Sequence, residues 1–284
     1  MTTFFKYQAA GNDFVIIDTS EACTRAGTCA CVSYWQRRAK NLCDRHFGIG
    51  ADGLLLVSGH QTETSDARMD IINADGSLAA MCGNGIRCAA RFLADKARLS
   101  DAFWRIDTLG GIQAVSLRHD AGPFPIEVAM ARVTLGNCCQ YRAEDGRVFE
   151  GRKVDVGNPH FVIVCDPSEC HGDIGHALHL LAERYGEALS HAPLFEDGAN
   201  IEFVSMAADG TASMAVYERG CGITLACGTG ATATGAVLMN DFGLKGTCII
   251  QARGGTLCIK PPHADGRYRL CGDARRVFMG EVCD

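Results

Sequence analysis

Apolar residues along the chain fall mostly in short runs bounded by glycine, asparagine and proline, the pattern of strands joined by tight turns. Residues 4–7 and 14–18 read as strands around a turn at 10–13, because β-prone residues flank Gly11 and Asn12. Residues 33–43 carry helical spacing, and a glycine-rich turn over 47–53 precedes an apolar strand at 54–57. A strand at 69–72 then leads through the turn Asn73, Ala74, Asp75, Gly76 towards Cys82. From about Ile86 a helix is expected, with Ile86, Ala89, Ala90, Phe92, Leu93 and Ala97 apolar and Arg87, Arg91 and Asp95 between them. The remainder reads as strands at 126–134, 153–156, 161–165, 201–206, 214–217, 248–252, 256–260 and 268–271. A second helix over 230–239 is almost entirely Ala, Thr, Gly, Val, Leu and Met, so it should be buried on every side.

The pattern repeats. Gly11-Asn12-Asp13-Phe14-Val15-Ile16-Ile17 resembles Gly157-Asn158-Pro159-His160-Phe161-Val162-Ile163, at an offset of 157 − 11 = 146. Cys82 and Cys227, each followed by a Gly-polar-Gly turn that opens a helix, lie 227 − 82 = 145 apart. Two different motifs recurring in the same order at nearly the same offset imply an internal duplication. The expected fold class is α/β, with two pseudo-symmetric domains that face each other, each a curled, mainly antiparallel sheet around a central helix. The halves are placed at 1–122, completed by a last strand at 272–284, and at 123–271. A hinge is expected near 120–125, where Gly122, Pro123 and Pro125 interrupt the pattern.

Composition narrows the class. The chain has 284 residues, 47% of them hydrophobic and 21% charged, enough to bury two cores. A net charge of −6 without any basic run argues against nucleic acid as a partner. No stretch approaches a membrane span and no secretory leader is evident, so the expectation is a cytoplasmic protein without membrane contact. Sixteen cysteines then read as reduced thiols, most of them small buried hydrophobes. Their spacing suits no zinc ribbon, and no metal is expected.

Each repeated cysteine sits at a helix start, where unpaired N–H groups and the positive dipole end favour a thiolate and attract an anion. Two such thiols suit inversion of a carbon stereocentre, with a base on one face, an acid on the other, and roles exchanged with direction. The turns would supply donors for the substrate's α-carboxylate. A helix N-terminus contributes only about 0.3–1 kcal/mol, less than the ~1.4 kcal/mol of one pKa unit, so neighbours must tune the thiols further. His160 and Glu218 are the nearest candidates by motif, against the plainer readings of a turn cap and a solvated strand end.

At these residues the chain resembles diaminopimelate epimerase: GNDFVIID, FGIGADG, NADG, MCGNGIRC, GNPHFV, ANIEFV and YERGCGITLACGTG follow in that order. The resemblance implies a cofactor-independent isomerase that interconverts LL- and meso-diaminopimelate for lysine and peptidoglycan precursor synthesis. It implies that Cys82 and Cys227 are base and acid and that Gly83, Asn84, Gly228 and Thr229 hold the reacting carboxylate. Asn12, Asn73, Asn158, Asn200 and Arg219 match positions that hold the substrate, largely at its distal centre, and His160 and Glu218 match residues beside the reaction. The family is commonly dimeric, so a homodimer is expected. The competing readings are a two-cysteine racemase of another amino acid, such as histidine, and a thiol redox or metal-binding protein built on Cys170, His171, His176 and His179.

Overall fold

The structure is a computed structural model that describes residues 2–20, 28–59, 62–169 and 172–282. Its elements begin with β1 (Thr2–Ala9), β2 (Asn12–Asp18), α1 (Thr28–Cys43), β3 (Gly53–Ser58), β4 (Ala67–Asn73) and β5 (Leu78–Ala79). There follow α2 (Gly83–Ala97), β6 (Ala102–Asp107), β7 (Gln113–Leu117), β8 (Ile126–Ala129), β9 (Thr134–Arg142), β10 (Val148–Asp155) and β11 (Pro159–Val164). After α3 (Ile174–Ser190) come β12 (Asn200–Met206), β13 (Ala212–Glu218), β14 (Gly222–Thr224), α4 (Gly228–Asp241) and β15 (Cys248–Ala252). The last elements are β16 (Gly255–Lys260), β17 (Arg269–Gly272) and β18 (Arg275–Val282).

Two compact units result, Met1–Val128 with Gly272–Asp284, and Ala129–Cys271. In the first, strands neighbour one another in the order β18, β1, β2, β3, β4, β6, β7, β8, with β5 also beside β4. Only β2 with β3 and β4 with β6 run parallel. In the second the order is β9, β10, β11, β12, β13, β15, β16, β17, with β14 beside β13, and only β11 with β12 and β13 with β15 run parallel. The hydrogen-bonding scheme is therefore duplicated strand for strand, including where it departs from antiparallel pairing.

Each sheet curls around one helix. α2 packs on β1, β2, β3, β4, β7 and β18, and α4 on β10, β11, β12, β15 and β16. The composition of α4 explains its place: Ala231, Thr232, Ala233, Thr234 and Ala236 are wholly buried, small enough for strands to close in from several directions. Gly235 is glycine because a Cβ there would stand 2.8 Å from Ile259. A second helix covers each sheet from outside. Trp35, Ala39 and Leu42 of α1 join Val15, Leu54 and Leu56, while Leu178, Ala182, Tyr185 and Leu189 of α3 join Phe161, Ile201 and Phe203.

Several boundaries differ from the sequence reading. α2 begins at Gly83, three residues earlier than expected, because the Cys82 side chain caps it. The expected strand at 126–134 is broken into β8 and β9, since the chain passes from one unit to the other after Val128. The interruption at 120–125 closes the β7–β8 hairpin within the first unit. α3 was not expected, nor were β6 and β7. Among the described cysteines, Cys43, Cys88, Cys165, Cys227, Cys248, Cys258 and Cys271 are buried. Cys170 and His171 lie outside the described residues.

Candidate active site

The duplicated connectivity brings the candidate residues of each unit to one end of its strands. In the second unit β11 and β12 run parallel with His160 opposite Asn200, and antiparallel β13 ends beside them at Glu218. The β14 hairpin then returns the chain to Cys227 at the start of α4. In the first unit Asn12 opens β2, Asn73 closes β4, and β5 delivers Cys82 to α2.

Both cysteines are helix N-caps with extended backbone, at φ −144°, ψ 120° for Cys82 and φ −120°, ψ 120° for Cys227. Each sulfur accepts from the N–H three residues on, Gly85 for Cys82 and Gly230 for Cys227, at 3.4 Å in both cases. A serine or aspartate would ordinarily take that capping role. A sulfur there sits on the positive end of the helix, among first-turn N–H groups suited to a carboxylate.

Around Cys82 the donors and acceptors have a fixed order. Arg87, wholly buried, donates to Gly83 O at 3.0 Å and to Asn84 Oδ1 at 2.9 Å. A guanidinium can only donate, so the Asn84 oxygen must face it and Nδ2 is turned to Asn12 Oδ1, 3.3 Å away. The same Asn12 oxygen lies 3.6 Å from the Cys82 sulfur, while Asn12 Nδ2 donates to Asp52 at 2.6 Å. Arg45 in turn bridges Asp13 and Asp52. Asn12, Cys82, Gly83 and Asn84 thus form one cluster. Asn73 is exposed and donates to Ser77 at 3.0 Å within its own hairpin. The sequence reading put Arg87 among the polar interruptions of the helix face, and the structure corrects this by burying it beneath the cysteine turn.

Around Cys227 the neighbours are carboxylates. The Cys227 sulfur lies 3.3 Å from Thr229 Oγ1 and is hydrogen-bonded with Glu218, whose carboxylate also accepts from the Thr224 hydroxyl. Burial first, then the charges of Glu218 and Glu202, push the Cys227 thiol well above the ordinary range. Burial likewise raises Glu218, partly offset by its hydrogen bonds to Thr224 and Cys227. Both groups hold a proton more tightly than in water, and one proton can pass between them whenever either of the two is ionised.

His160 is neither a turn cap nor exposed: it lies buried on β11, with Nδ1 2.7 Å from Glu202 Oε1 and Nε2 3.1 Å from Asn158 Oδ1. Asn200, buried at the start of β12, accepts from the Arg219 backbone N–H at 2.9 Å, and the Arg219 guanidinium donates to Asp197 O. His160 with Asn158 and Glu202 thus forms one hydrogen-bonded group and Glu218 with Thr224, Cys227 and Thr229 a second, the charge of Glu202 acting on Cys227 and Glu218, and Asn200 with Arg219 lies beside them on the neighbouring strand ends. Sequence reasoning passed over Glu202 and Thr224. The signal for Glu202 was present as a single carboxylate inside the apolar run Ile201, Glu202, Phe203, Val204. Among the described residues no three His, Cys, Asp or Glu side chains gather as a metal set; His179 instead pairs with Glu183 at 3.1 Å.

Known proteins match along the whole length. The family model for diaminopimelate epimerase matches residues 4–136 and 152–280. Diaminopimelate epimerase from Synechocystis sp. is 36% identical over 293 residues, covering 99% of this chain and 98% of that protein. Diaminopimelate epimerase 1 from Nostoc sp. is 38% identical over 295 residues, covering 98% and 99%. Among solved structures, a hydroxyproline epimerase from Agrobacterium vitis aligns with a TM-score of 0.72 at 14% identity, over 98% of this chain and 91% of that one. A phenazine biosynthesis protein of the PhzF family from Bacillus anthracis aligns with a TM-score of 0.69 at 15% identity, over 100% and 99%. At such identities these two establish the shared fold alone. Together with the duplicated topology and the paired cysteine caps, the family-model match and the 36–38% identities mean that this chain belongs to the diaminopimelate epimerase family.

Proposed function

We propose that the protein interconverts LL- and meso-diaminopimelate by a two-base reaction. The observation that carries this reading is the pair of cysteine N-caps, alike in backbone and hydrogen bonding and alike in topological position, one in each duplicated half. Inversion needs a thiolate on one face of the α-carbon and a thiol on the other. Cys82 and Cys227 take these roles in one direction and exchange them in the reverse. Gly83, Asn84, Gly228 and Thr229, in the first turns of α2 and α4, hold the α-carboxylate, so the charge that grows there on deprotonation meets positive helix ends. Asn12, Asn73, Asn158, Asn200 and Arg219 hold the substrate, largely at its distal amino-acid group, since a carboxylate takes donors and an ammonium takes acceptors.

Glu218 serves Cys227 as proton partner. Its hydrogen bond to the thiol and its own raised affinity for a proton let the acid and base forms interchange without bulk water. His160 stands beside the reaction, its charge acting on Glu218. Both acid and base are thiols on this reading, which uses no metal or organic cofactor. We further take the protein to act as a homodimer in the cytoplasm; light scattering of the purified protein tests the first.

The test is incubation of the reduced protein with LL-diaminopimelate in D2O, followed by chiral separation and mass analysis. Meso product carrying deuterium at one α-carbon is expected. Exchange of L-histidine with none of diaminopimelate would move the assignment to a different amino-acid racemase.

A further inference from the structure

We propose that Glu202 is a positioning residue for His160, holding the ring through Nδ1 so that Nε2 is the nitrogen turned to the substrate, and that residue 230 is glycine to leave this carboxylate its place. The proposal rests on the reading of His160 as a residue of the epimerase reaction.

Three observations carry it. First, the Glu202 and His160 side chains are both wholly buried and meet at 2.7 Å. With the carboxylate as acceptor, the ring carries its proton on Nδ1. Nε2 then offers its lone pair to the side-chain amide of Asn158, one of the residues assigned to the substrate, which meets it as a donor once the amide is turned to present Nδ2. Second, Oε2 of Glu202 is buried and has no hydrogen-bond partner among the described residues. A core position filled for packing alone would take an apolar residue in the run Ile201 to Val204, without the cost of an orphaned oxygen. Third, a Cβ on Gly230 would stand 2.5 Å from Glu202 Oε1 and 3.2 Å from its Cδ and Cγ. The carboxylate therefore lies against the first turn of α4, where the positive helix end favours an anion. Any larger residue at position 230 would drive it away from His160.

The groups around the ring are Glu202 from β12, Asn158 from the turn before β11, Glu218 from β13 and, through both carboxylates, Cys227 at the cap of α4. Fixing the ring fixes where its exchangeable proton sits within that set.

Two substitutions perturb the pair in independent ways. Glu202→Gln keeps the shape and removes the charge. Gly230→Ala keeps the charge and displaces the carboxylate, while alanine suits a helix better than glycine and so does not weaken α4 itself. Histidine 15N NMR of the whole protein should find Nδ1 of His160 protonated in the unsubstituted chain, with its resonance moved in both variants. With LL-diaminopimelate, kcat should fall by about 10- to 100-fold in each while KM stays within about twofold. An unprotonated Nδ1, a His160 signal unmoved by both substitutions, or a rise in KM with kcat intact would overturn the proposal. The NMR signal does not need turnover: a moved signal in a protein that epimerises nothing would support the pairing and overturn the functional reading instead.

Discussion

Arg87→Met tests whether the Cys82 turn is held from beneath. The wild-type guanidinium, wholly buried, donates to Gly83 O at 3.0 Å, to Asn84 Oδ1 at 2.9 Å and, more weakly, to Asp273 O at 3.4 Å. Methionine fills much of the same space and donates nothing. The first two acceptors then lose a strong donor inside the protein, at about 1–3 kcal/mol each, for a gross cost of about 2–6 kcal/mol. Relief of the buried charge's desolvation offsets part of this, so about 2–4 kcal/mol is the expected net loss. Out of a typical 5–15 kcal/mol that leaves a folded protein, with its urea midpoint lowered by about 1 M or more. Activity should fall further than stability explains. Without a donor-only partner the Asn84 amide can rotate, Asn12 loses its fixed orientation beside the sulfur, and kcat/KM should drop by about 10- to 100-fold. Arg87→Lys, which keeps the charge but cannot fork to both acceptors, should lie between. Urea unfolding and epimerase assays on the three proteins decide it. A loss under about 1 kcal/mol together with near-normal turnover would refute this account of Arg87.

Cys82→Ala and Cys227→Ala should each abolish epimerisation, measured by chiral separation of diaminopimelate isomers; substantial turnover by either removes the two-base reading. Alkaline pH should weaken the fold. Burial pushes Cys43 up to about 11 and Cys248 up to about 12, so the native chain keeps protons that the unfolded chain releases from about pH 8.5. Stability from these thiols is full below that pH and should then fall by up to about 1.4 kcal/mol per pH unit for each; urea midpoints flat from pH 8 to 10 under reductant would contradict it. Glu218→Gln should be inactive yet no less stable than wild type near neutrality. The raised native carboxyl makes wild-type stability fall as pH climbs through and above the unfolded value of about 4.3, a slope the amide lacks, and parallel pH profiles of the two proteins would refute this.

The two cysteine helices, the GN turns and the duplication could be read from the chain because each is local, carried by a few consecutive residues and repeated. Arg87 and Glu202 were harder to place. A lone charge in an apolar run looks like a solvated position, and what makes each burial tolerable comes from afar: Asp273 lies 186 residues from Arg87, and Glu202 lies 42 from His160. The missed helix α3 is a different failure. Leu178, Ala182, Tyr185 and Leu189 carry a plain helical spacing. The histidines at 176 and 179 drew a metal-ligand reading to the same stretch, whereas Asp173, capping the helix through the His176 N–H at 2.7 Å, marked its start.

β1 pairs with β18 from Thr2 opposite Val282 to Gln8 opposite Arg275. On the ribosome, this strand therefore waits for a partner made after the whole of the second unit. The half that carries Cys227 has all its strands once Cys271 has emerged, whereas the half that carries Cys82 still has an unpaired edge at β1. The half that is made first is thus the last to complete its sheet, and an interrupted translation leaves a sticky strand edge on it.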